Sequence, residues 1–67
     1  MPLRARQLQV CMLRAEGLSA REVGRRLNIS HRTVEVHVQR AYATLNVNNV
    51  VQMTLILLKL QSSSDNN

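Results

Sequence analysis

At 67 residues the chain makes one domain at most, with a small core and little stability to spare. Nine Lys and Arg against four Asp and Glu give a formal charge of +5, and residues 1–40 hold eight arginines and three glutamates whereas residues 41–67 hold only Lys59 and Asp65. A basic first part beside a neutral second part predicts one surface that faces a polyanion and another that faces protein; a merely basic, soluble protein is the alternative.

Other totals narrow the field. With one Tyr and no Phe or Trp, the chain lacks the aromatic platforms on which single-stranded nucleic acid stacks. The lone Cys11 rules out an internal disulfide and fits a reducing cytoplasm. No secretory leader is expected, and the apolar run "LILL" is far too short to cross a membrane.

In chain order, the first helix is predicted from about Ala5 to Glu16, stopping at Gly17. The two Gly and one Pro are each expected where a helix begins or ends. "SARE", Ser19 to Glu22, has the spacing of a capping box, so Ser19 should start a short second helix that ends near Leu27. "NIS" reads as a tight turn in which Ser30 caps a third helix, running to Leu45 with Asn46 left-handed beyond it. Asn48 and Asn49 precede a fourth helix from Val50 to Gln61. The polar "SSSDNN", residues 62–67, has nothing to bury and is expected to be disordered. The prediction is an all-α, four-helix domain over residues 1–61.

Within the third helix, Val34, Val38, Ala41 and Leu45 share one stripe, which must face the core. Opposite lie Arg32, Val36, Gln39, Arg40 and Ala43, with Glu35 and His37 on the flanks. This outer face offers guanidinium forks, an amide, a carboxylate and an apolar tip, a mixture suited to phosphates and base edges in a major groove. An ordinary solvated helix could carry the same residues. The short capped helix and tight turn before it tip the reading toward helix-turn-helix geometry.

His31 and His37 are six apart and face different sides of the helix, so no metal site is expected, and no cofactor. No nucleophile–base pair, glycine-rich phosphate loop or carboxylate pair is present, and the chain is not expected to be an enzyme. Cys11 reads as a small buried hydrophobe.

Residues Leu3 to Gln52 resemble, without gaps, the LuxR-type (GerE-like) helix-turn-helix domain. The resemblance rests on "LSAREV", "LNIS", "TVEVH" and "LNVNN", each weak alone but here in order and correctly spaced. It implies a four-helix domain that binds double-stranded DNA, dimerises through its last helix and regulates bacterial transcription. Carried over by position, Thr33 and His37 would lie near phosphates, Glu35, Val36 and Gln39 would face bases, and Arg32 and Arg40 would flank them. Ser19 and Arg21 would meet the backbone from the bracing helix. The first two helices and "TVEVHVQRA" are also similar to the promoter-binding domain of extracytoplasmic-function sigma factors. That domain ends with its recognition helix, so the fourth helix here favours the LuxR type.

Three departures from the LuxR pattern stand out. Glu35 occupies a position that is usually basic, which loses a phosphate attraction but can accept from cytosine N4. Gln7 and Val50 replace a Glu–Arg pair; losing both members together can be nearly neutral. The family's domain usually follows a sensing or receiver domain, and none is read in these 67 residues, so a stand-alone regulator is expected. In the fourth helix, Val50, Met53, Ile56, Leu57 and Leu60 form a core face, while Val51, Leu55 and Leu58 form a second apolar stripe. So small a domain cannot cover both, so the second stripe is expected to be a homodimer interface. In the first helix, Leu8, Met12 and Ala15 either enlarge the core or offer another docking surface. The expected function is a cytoplasmic, nucleoid-associated transcriptional regulator that binds an inverted-repeat operator as a homodimer. The alternative is a small protein that sequesters a larger LuxR-type regulator in a mixed dimer.

Overall fold

The computed structural model describes residues 3–65, with side chains as far as Gln61. It contains four helices: α1 (Ala5–Ala15), α2 (Ala20–Leu27), α3 (His31–Leu45) and α4 (Val50–Asp65). There is no strand among the described residues, and none of these helices is long and apolar enough to cross a membrane.

Each bend is closed by local chemistry. Gly17, at φ 102°, ends α1 in a backbone region that costs a side chain dearly. There Gly17 N–H donates to Arg14 O (3.0 Å) and Leu18 N–H to Leu13 O (3.3 Å), the paired bonds of a Schellman motif. The Arg14 guanidinium also donates to Leu18 O. Asn28 and Asn46 take the left-handed conformation, at φ 59° and 57°, and so end α2 and α3. Before α4, Gln52 N–H donates to Asn49 Oδ1 (3.0 Å) and Asn48 N–H to Gln52 Oε1 (3.1 Å).

Two expected boundaries need correction. Gly24 lies inside α2, not at an end, and it is buried. The turn after α2 folds back over it, with Ile29 N–H donating to Gly24 O at 2.9 Å. A Cβ at this position would sit 2.6 Å from Ile29 O. Packing, not chain reversal, therefore requires the glycine. The fourth helix continues past Gln61 to Asp65, because no Gly or Pro interrupts the backbone ladder there. The expected disordered tail began at residue 62, so its first residues are helical; Asn66 and Asn67 lie outside the described residues.

The core has two lobes. Val10, Val23, Val34 and Val38 join α1, α2 and α3, with Leu13, Leu18 and Leu27 packed around them. Leu3, Cys11, Ala41, Met53 and Leu57 join α1, α3 and α4. Tyr42 packs against both lobes. Leu8, Met12 and Ala15 are half-buried against the second lobe, so they enlarge the core. Cys11 is buried and free, and burial pushes its thiol up to about 11, which leaves it protonated and inert at neutral pH.

Candidate nucleic-acid interface

The capped starts of α2 and α3 fix the orientation of the helix pair. Ser19 Oγ accepts from Glu22 N–H (3.1 Å) while the Glu22 carboxylate accepts from Ser19 N–H (2.8 Å), a complete capping box. These bonds from Ser19 hold the Glu22 carboxyl below its usual 4.5. At α3, Ser30 Oγ accepts from Thr33 N–H (3.1 Å) and lies 2.9 Å from Thr33 Oγ1. Both serines are exposed, and the Ser19 hydroxyl keeps its hydrogen to donate.

The structure places the outer face of α3 as its periodicity demands. Val34, Val38 and Ala41 are buried and Leu45 is half-buried, whereas Arg32, Thr33, Glu35, Gln39, Arg40 and Ala43 are exposed. Val36 is 42% exposed, an apolar tip among polar neighbours. His37, on the flank, is half-buried, and its Nδ1 is shut off from solvent without a hydrogen-bond partner. Among the described residues no Arg is ion-paired within 4.0 Å of a carboxylate. Their charge is therefore available to an external anion, and Glu35 neutralises none of it by direct contact.

Not every predicted residue falls in one patch. Glu35 and Gln39 share a cleft with Arg14 and Tyr42. Arg21, from α2, lines a separate hollow with Arg25, Asn28 and His31 beside the turn. Arg40 and His37 turn toward the start of α1 and line an open cleft of about 620 Å³ with Arg4, Arg6, Gln7 and Thr44. The sequence pattern gives Arg4, Arg6 and Arg25 no role, and His31 only a rejected one as a metal ligand. Helical phase orders residues within an element but is silent on which face of α1 meets which turn of α3. Among the described residues no group of three or more His, Cys, Asp or Glu is placed to hold a metal ion.

On α4, Met53 and Leu57 are buried, while Val51, Leu55 and Leu58 are 65%, 58% and 56% exposed. The second apolar stripe is thus uncovered in the single chain, as its spacing predicts.

Residues 1–57 match the family described as bacterial regulatory proteins, luxR family. The chain is 42% identical over 55 residues to YhjB of Escherichia coli (strain K12), an HTH-type transcriptional regulator by name, covering 82% of this chain and 28% of that protein. It is 39% identical over 57 residues to the nitrate/nitrite response regulator protein NarP of the same organism, covering 85% of this chain and 26% of NarP. The chain thus spans little more than a quarter of the length of these relatives. The protein belongs to the luxR family of bacterial regulatory proteins, and its four helices form that family's helix-turn-helix domain, which is not an enzyme class.

Proposed function

We propose that this luxR-family domain binds duplex DNA as a homodimer, with α3 in the major groove and α2 bracing it. Glu35, Val36 and Gln39 face base edges. Arg32, Thr33, His37 and Arg40 hold the backbone, joined by Ser19 and Arg21 from α2. Val51, Leu55 and Leu58 form the two-fold interface, which pairs the readers on an inverted-repeat operator. Such a protein acts at the nucleoid, in the cytoplasm. The observation that supports this reading best is the outer face of α3, where unpaired guanidinium groups flank an exposed Val36 and Gln39.

The test is anisotropy of a labelled duplex titrated with the protein from about 50 to 200 mM salt. Binding should weaken steeply with salt, since each phosphate contact releases a counterion. Gln39→Ala should change sequence preference, whereas Arg40→Ala should weaken binding to all sequences alike. No binding at the lowest salt would overturn the reading.

One observation favours a second reading. Glu35 is an exposed carboxylate without an ion pair on the face that would approach phosphates. In that reading the domain captures a larger luxR-family regulator through Val51, Leu55 and Leu58. A mixed complex, with no affinity for DNA alone, would support it.

A further inference from the structure

The cleft between the start of α1 and the second half of α3 is more cationic than any role given above requires. It is lined by three arginines, Arg4, Arg6 and Arg40, together with His37, Gln7 and Thr44, and no acidic residue lines it. Arg6 makes only a long hydrogen bond, from Nη1 to Gln9 Oε1 at 3.4 Å. Arg4 stands at the N-cap of α1 and caps nothing: no side chain accepts from the first-turn amides, and no acidic residue occupies that turn. The positive end of the helix dipole is thus left without a counter-charge, in a cleft that already holds three guanidinium groups. Among the described residues, the buried side-chain polar atom without a hydrogen-bond partner is His37 Nδ1. His37 also lines this cleft, but its Nδ1 is shut off from solvent and so lies out of reach of an anion there.

Resting on the DNA-binding reading, we infer that this cleft is a phosphate site, and that it takes a DNA backbone phosphate outside the groove entered by α3. Thr44 lies about 12 Å beyond Val36 along the α3 axis at ~1.5 Å per residue, well over half the ~12 Å width of the major groove, so a helix crossing the groove carries the Thr44 end past its edge. With the Val36 end among base edges, the Thr44 end and the cleft beside it meet the phosphate wall. The cleft is open and far larger than one phosphate, so it suits a point on a polymer better than a free ion. Arg4 and Arg6 hold the oxygens, Arg40 closes the cleft from α3, and the α1 amides face the same charge. The start of α1 thereby joins the footprint and fixes how α3 lies in the groove.

The experiment compares Arg4→Gln and Arg6→Gln with Arg26→Gln, an exposed arginine of α2 that does not line the cleft. Circular dichroism establishes that each variant is folded, and anisotropy with one duplex gives affinity and its salt slope. Each cleft variant should bind about three- to tenfold more weakly, equally on all sequences, with its log–log salt slope reduced by about 0.9 per lost phosphate. Arg26→Gln should leave the slope unchanged. Equal losses in all three variants would reduce the effect to net charge and overturn the site. So would cleft variants that match the wild type while the wild type binds DNA, and the DNA-binding reading would then survive. A wild-type chain that binds no DNA would overturn both. Sodium phosphate added at constant ionic strength distinguishes the sources of phosphate. Competition at low concentration that Arg6→Gln abolishes would make this a free-anion site and overturn the assignment to DNA.

Discussion

Replacing Gly24 with Ala tests the close packing of the turn between α2 and α3. An added Cβ would lie 2.6 Å from Ile29 O, 3.3 Å from His31 N and 3.4 Å from the Ser30 carbonyl carbon. All three are backbone atoms, so no flexible side chain can swing away. The turn must move, and it carries the Ile29 N–H bond to Gly24 O as well as the first residues of α3. In an open helix interior the same change would stabilise by roughly 1 kcal/mol. Here the cost belongs at the upper end of overpacking, about 3 kcal/mol, and a net loss of about 2 kcal/mol remains. For a domain of this size that lowers Tm by roughly 8–16 °C, at ~4–8 °C per kcal/mol. A thermal melt followed by far-ultraviolet circular dichroism measures it directly. A variant that melts at or above the wild type would refute the argument, because it would behave as a helix glycine with free space around it.

Ser30→Ala removes the oxygen that accepts from Thr33 N–H, and should cost about 1 kcal/mol, read as a fall in the denaturant midpoint with an unchanged slope. Leu58→Lys, on the exposed stripe of α4, should give a folded monomer by light scattering if the proposed homodimer forms through this stripe; a variant that stays dimeric would remove the stripe from the interface. The Glu22 carboxyl is held below its ordinary 4.5 by its bonds to Ser19. Its contribution to stability is therefore complete above that value and is lost as pH falls through the lower folded value. Glu22→Gln should accordingly show a shallower loss of stability on acidification below pH 4.5, measured by urea unfolding at a series of pH values.

Local chemistry made most of the fold legible. Ser19, Ser30 and Asn46 mark helix ends through bonds that span only a few residues, so their spacing alone identifies them. The buried stripe of α3 and the bare stripe of α4 follow from helical phase. What escaped was chemistry that depends on packing between elements. Gly24 reads as a breaker until the turn above it is seen to need the space. The end of α4 reads as a stop because its residues are polar, yet a helix needs only an unbroken backbone to continue. The cleft at the start of α1 assembles Arg4 and Arg6 with His37 and Arg40, residues that no single-element pattern connects. Arg4 also stands where a helix start would call for a Ser, Thr or Asp, and that missing acceptor was the one hint in the sequence.

The division of the core into two lobes bears on how the chain folds as it is made. Val10, Val23, Val34 and Val38 all precede α4, and the turns linking their helices close over short stretches. The first lobe can therefore assemble quickly, since short loops cost little closure entropy and local topologies fold fast. Leu3 and Cys11 must wait for Met53 and Leu57, from the opposite end of the chain. Until α4 emerges from the ribosome, one flank of α1 stays bare and apolar, and that nascent stage is when the protein is most exposed to chaperones and to aggregation.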